Sequence, residues 1–110
     1  MNERTRRIGE NEAIFRSVNE QVRALNATFS AATNTMRVVC ECGARTCTEQ
    51  IEIGPDDYAE VREDATLFVV RPGHDLPEAE QAVSRHETYW IVRKDPGLPT
   101  LIAEATAPRG

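Results

Sequence analysis

The three cysteines of the chain, Cys40, Cys42 and Cys47, all fall within eight residues. An odd number of thiols packed this closely argues against a disulfide framework. Cys40 and Cys42 are two apart, so on an extended backbone their thiols point the same way. Gly43 allows a sharp turn, which can bring Cys47 back toward the pair. Three converging thiolates suit a soft or borderline metal ion, and a closed structural shell needs a fourth ligand. The chain has two histidines. His74 follows Pro72-Gly73 in a loop, where a side chain can be aimed freely. His86 sits beside Arg85 at a strand end and is the alternative fourth ligand. Zinc is the leading metal, with a three-Cys one-His iron–sulfur cluster as the alternative. Idle thiols, a disulfide plus a free thiol, and a Cys–His catalytic pair fit less well. The last lacks an orienting third residue.

The rest of the chain supports one small domain. It has 110 residues, of which 40% are hydrophobic and only 5% aromatic. The core is therefore thin, and a metal staple is a common remedy at this size. The net charge of −5 disfavours nucleic acid and anionic membranes as partners. The first seven residues go the other way, with Arg4, Arg6 and Arg7 against Glu3. Residues 1–10 are expected to be a flexible basic arm. The basic start runs into Gly9-Glu10-Asn11-Glu12 rather than an apolar segment, so no secretory signal is evident. No apolar run reaches the roughly 18 residues that span a bilayer. The expectation is a cytoplasmic protein with reduced thiols.

Periodicity divides the expected domain, residues 11–106. Asn11 can cap a helix running to about Thr28. Ile14, Phe15, Val18, Val22, Leu25 and Phe29 would form its apolar stripe, with Arg16, Glu20 and Arg23 on other faces. The small polar residues from Ser30 to Thr35 read as a loop. Met36 to Cys40 and Thr48 to Ile53 read as strands joined by the cysteine knuckle. Gly54-Pro55-Asp56-Asp57 starts a short helix with Tyr58 and Val61 inward. Further strands are expected at Leu67–Val70, Glu80–Arg85 and Tyr89–Lys94. Thr100 to Ala105 fits a strand or a helix, and residues 107–110 form a tail. The fold class is α+β: an N-terminal amphipathic helix packed on a small antiparallel sheet carrying a metal knuckle.

One set of strings resembles a known group. Asn11-Glu12-Ala13-Ile14-Phe15-Arg16 with Val18-Asn19-Glu20 comes first. Cys40-Glu41-Cys42-Gly43, Cys47-Thr48-Glu49, Pro72-Gly73-His74-Asp75 and Arg85-His86-Glu87 follow. Together they resemble a group of short hypothetical actinobacterial proteins over nearly the whole length. The resemblance implies that helix, knuckle and Gly-His loop belong to one domain. CDGSH-type iron–sulfur proteins also begin their ligand set with a Cys-x-Cys pair. Here Thr48-Glu49-Gln50 follows Cys47, and the Cys-Asp-Gly-Ser-His stretch is missing.

The sequence contains no phosphate-binding glycine loop, Gly-x-Ser-x-Gly elbow or His-Glu-x-x-His pair. A closed three-Cys one-His shell also leaves no open position for Lewis-acid chemistry. The functional expectation is a small non-enzymatic structural-zinc protein acting as a protein-interaction or regulatory module. The alternative is a thiol-based redox or metal sensor, or an iron–sulfur protein.

Overall fold

A computed structural model describes residues 3–28, 35–42, 44, 46–47 and 49–107. In chain order the elements are α1 (Glu3–Thr28), β1 (Met36–Val39), β2 (Gln50–Ile53), α2 (Pro55–Arg62), β3 (Leu67–Val70), β4 (Glu80–Arg85), β5 (Trp90–Lys94) and α3 (Leu98–Ala105). The architecture is α+β. Instead of one sheet there are two small antiparallel ones, β1-β2 and β3-β5-β4. The two sheets are stitched where the chain leaves β1, as the Glu41 N–H donates to the Val69 carbonyl at 2.8 Å.

Strand alternation places the core. Along β2, Gln50 and Glu52 are exposed while Ile51 and Ile53 are buried. Val38 pairs in register with Ile51, and Phe68 with Val92. These residues are fully buried together with Val69, Val70 and Tyr58. Helix α2 starts at Pro55 after Gly54, carries Asp56 and Asp57 in its first turn, and turns Tyr58 and Val61 inward. Both acids favour the positive helix N-terminus. The segment from Thr100 to Ala105, which fitted either state, is helical.

Helix α1 departs most from expectation. It begins at Glu3, so residues 3–10 are its first turns rather than a flexible arm. That end is held by packing. Ile8 is buried, and a Cβ on Gly9 would come within 2.6 Å of Ile102 Cγ2 in α3. Glycine is what lets the two helices cross so closely. Arg4 also reaches Glu78 in a two-pronged ion pair.

The expected apolar stripe is rotated. Ile14, Val18 and Leu25 are exposed, and Phe15 and Val22 are half-buried. Phe29 lies outside the described residues. The buried face instead carries Ile8, Glu12, Arg16 and Asn19, spaced four, four and three residues apart along one helical face. Arg16, expected outside, is 1% exposed. It donates to the carbonyls of Ala65 (2.7 Å) and Ala103 (2.8 Å) and to Thr106 Oγ1 (3.0 Å).

Polar groups can be buried here because their partners are buried with them. Lys94 Nζ lies 2.7 Å from Glu12 Oε1 and 2.9 Å from Glu80 Oε1. Arg16, Arg62 and Lys94 also surround the Phe68 ring at 4.6, 5.4 and 5.7 Å from its centroid. Two carboxylates facing one ammonium leave a charge uncompensated. Burial accordingly pushes the Glu12 carboxyl up to about 8 against the pull of Lys94, and Glu80 adds to the rise. For Lys94 burial opposes the charged form, but Glu12 and Glu80 outweigh it and hold the ammonium above its ordinary value.

Candidate metal centre

The knuckle is built from the end of β1, the start of β2 and the turn after β3. Cys40 continues the β1-β2 ladder, its N–H donating to the Glu49 carbonyl at 2.9 Å. Past it the chain leaves the ladder, and the Cys47 N–H closes a turn onto the Ala44 carbonyl at 3.0 Å. Arg71 follows β3, and the His74 N–H donates back to its carbonyl at 2.9 Å. Gly73 occupies φ +83° in that turn, a conformation open to glycine and strained for other residues. The turn delivers the His74 ring to the thiols.

Four donors converge. The ligand atoms of Cys40, Cys42, Cys47 and His74 all lie within 4.8 Å of one another. His74 Nδ1 is 3.7 Å from Cys40 Sγ and 3.7 Å from Cys47 Sγ. A tetrahedral zinc with Zn–S of about 2.3 Å and Zn–N of about 2.0–2.1 Å has edges of roughly 3.5–3.8 Å. The set is therefore close enough to hold a metal ion, and no disulfide ties up the thiols. His86 lies elsewhere. It is exposed, pairs with Ser84 Oγ through Nε2 at 2.8 Å and stacks on Tyr89 at 4.5 Å.

Of the three sulfurs, the surroundings favour the thiolate at Cys42 alone. The Arg71 N–H points at Cys40 Sγ at 3.2 Å. A thiol proton shared from Cys40 holds Cys42 down to about 5, and the same bond with burial pushes Cys40 up. Burial also raises Cys47. Cys40 and Cys42 are 1% and 3% exposed, whereas Cys47 is half-buried. His74 is half-buried as well, so Cys47 and His74 form the more exposed side of the centre.

Glu41, between the first two cysteines, is completely buried. Its side chain leaves the strand on the side away from the thiols. Oε2 accepts from Asn19 (2.8 Å) and Tyr58 (2.7 Å), Oε1 accepts from the Val69 N–H (3.0 Å), and Arg62 lies 3.4 Å away. Asn19 adds a two-way bond with Val39, its Nδ2 donating to the carbonyl and its Oδ1 accepting from the N–H, both at 2.8 Å. Its amide acts as a strand neighbour for the outer edge of β1. The knuckle is thus anchored to α1, α2 and β3 from behind. Sequence reading missed Glu41 and Asn19. The available signal was the strand alternation itself, which sends the residue between two inward thiols to the opposite face.

No protein-family model, curated protein or solved structure matches this chain. Among the described residues, no helix is long and apolar enough to cross a membrane.

Proposed function

We propose that the chain is a small non-enzymatic structural-zinc protein of the cytoplasm that acts as a protein-interaction or regulatory module. The observation that carries this reading is the convergence of Cys40, Cys42, Cys47 and His74 within 4.8 Å. Three thiolates and one imidazole form a shell typical of structural zinc, with no position left for substrate. The ion would be held by the three Sγ atoms and by His74 Nδ1, and it would supply cross-linking rather than catalysis. Glu41 and Asn19 support the reading, since they fix the ligand-bearing backbone to the core. Elemental analysis of protein purified without added metal tests it. One zinc per chain and a colourless sample are expected. Iron with visible colour would replace zinc by the iron–sulfur alternative, and absence of any metal would end the metal reading.

A second reading, a thiol-based redox sensor, rests on the half-buried position of Cys47. Hydrogen peroxide would take two electrons from two ligand thiolates and two protons from solvent, leaving a disulfide, two waters and a released ion. Peroxide titration followed with a zinc-binding dye tests this. Stoichiometric release reversed by a thiol reductant favours the sensor, and retention of zinc at millimolar peroxide argues against it.

A further inference from the structure

Helix α1 carries its charges in an unusual place. Among the described side chains of residues 3–10, the exposed ones are Glu3, Arg4, Arg6, Arg7 and Glu10, all charged. From residue 11 to 25 the exposed positions are Ile14, Ser17, Val18, Gln21, Ala24 and Leu25, none of them charged. Over this second stretch Glu12 and Arg16 are buried, and Glu20 pairs with Arg23 at 2.8 Å. The ordinary arrangement is the reverse, with an apolar stripe on the core and charge toward water. Ile14 is 60% exposed, Val18 40% and Leu25 59%.

The spacing of this outer face is that of a helix–helix seam. Ile14, Val18, Gln21 and Leu25 follow one another at four, three and four residues, the alternation of core positions in a coiled coil. Ser17 and Ala24, seven residues apart beside the seam, are small enough for a second helix to approach closely. Gln21 is the single polar residue in the seam.

We propose that this face of α1 is a self-association surface, on which a second copy of the chain docks its own α1 in antiparallel orientation. Three features of the chain select that occupant. The face is uncharged, so two acidic molecules can meet there without repulsion between seam residues. The seam is self-complementary about a two-fold axis between residues 19 and 20, which sets Ile14 opposite Leu25 of the second copy and Val18 opposite Gln21. Finally, residues 3–7 carry two positive charges net and lie at the positive end of the helix dipole. A parallel pair would bring two such ends together, whereas an antiparallel pair keeps them apart. Pairing over this stretch would bury on the order of 1,000 Å² in total, the lower limit for a specific interface. The dimer is therefore a small-interface, reversible one.

Sedimentation equilibrium of the metal-loaded protein from about 5 to 500 μM tests the proposal. Concentration-dependent dimerisation is expected for the parent. Val18→Glu and Leu25→Glu should each weaken it at least about tenfold while leaving melting temperature and metal content unchanged, because both positions face solvent in the monomer. Mixing Val18→Glu with Gln21→Lys should restore heterodimers, since the antiparallel register puts the two new charges opposite each other. A parent that stays monomeric at 500 μM, or a dimer that both glutamate variants leave intact, overturns the surface. A dimer that is weakened by both variants but not recovered by mixing overturns the antiparallel register.

Discussion

Glu41, the residue between the first two cysteines, accepts a 2.8 Å hydrogen bond from Asn19 of α1, more than twenty residues earlier in the chain. The same carboxylate also holds Tyr58 of α2 and the backbone of β3. One strand segment thus presents thiols to the candidate metal site on one face and an anchor to the core on the other. The organisation of the centre is therefore set as much by the helix that covers it from behind as by the ligands.

Glu41→Ala should accordingly do damage out of proportion to its distance from solvent. It leaves Tyr58, Asn19, the Val69 N–H and Arg62 without their acceptor in a buried site. Removing one member of a buried charged network costs about 3–5 kcal/mol. Denaturant unfolding should show that loss, and a chelator competition should show weaker metal retention. A variant with parental stability and metal affinity would mean that the carboxylate is not an anchor.

The histidines should separate cleanly. His74 reaches the thiols, whereas His86 is exposed and occupied with Ser84 and Tyr89. His74→Ala should weaken metal retention more than about tenfold, since even loss of a second-sphere partner costs 10–100-fold. His86→Ala should change it by less than roughly twofold. Competition against a chromophoric chelator reads both values, and the reverse order would disprove the assignment of the fourth ligand.

How far the sequence carried this picture depended on whether each signal was local. Ile51 and Ile53 announced β2 by alternation, Gly54-Pro55 announced α2, and Pro72-Gly73 announced a turn able to aim His74. The inward face of α1 was not legible in the same way. Hydrophobic periodicity picks out Ile14, Val18 and Leu25, and it cannot credit a buried Arg16 or Glu12. What makes those residues stable inside is remote in sequence: Ala65, Ala103 and Thr106 for Arg16, and Lys94 for Glu12. A second signal was present, however. Glu12, Arg16 and Asn19 share one helical face with Ile8, and an apolar seam opposite a polar stripe leaves open which of the two faces the core. Gly9 was similarly double-edged, reading as the end of an arm when it is the crossing point of two helices.

The buried Glu12–Lys94–Glu80 group gives stability a particular pH dependence. Glu12 titrates near 8 in the folded protein, against 4.5 as its ordinary value. Between those values the folded state retains a proton that the unfolded state has lost. The associated stabilisation is complete below about 4.5 and is lost as pH rises through about 8, at up to ~1.4 kcal/mol per pH unit. Metal binding carries the opposite slope, because its ligands must deprotonate. The informative quantity is therefore the difference between the parent and Glu12→Gln, which keeps an acceptor for Lys94 but does not titrate. Denaturant unfolding from pH 5 to 8.5 should show the variant gaining on the parent as pH rises. Parallel curves would show that Glu12 is ionised throughout.

Removing the metal should loosen one part of the molecule before the rest. Structural zinc contributes on the order of 10–16 kcal/mol of binding free energy in zinc-finger peptides, whose folding depends on it entirely. This chain has other sources of stability. Helix α1 is fixed through Gly9 against Ile102, through Arg16 to Ala103 and Thr106, and through Glu12 to Lys94, none of which involves the knuckle. The sheet β3-β5-β4 likewise pairs without it. By contrast β1-β2 is a two-stranded ribbon closed at one end by the cysteine loop, and isolated two-stranded ribbons are marginal in water. A strong chelator should therefore lower the melting temperature and speed hydrogen exchange across residues 36–53 first, while amides in residues 11–28 stay protected. Cys42→Ser should reproduce that pattern without chelator, because loss of one thiolate opens the shell. Hydrogen exchange with and without chelator makes the comparison directly. Identical exchange at residues 40–47 in both states, with no metal found at the start, would show that the cysteines do not form a metal site.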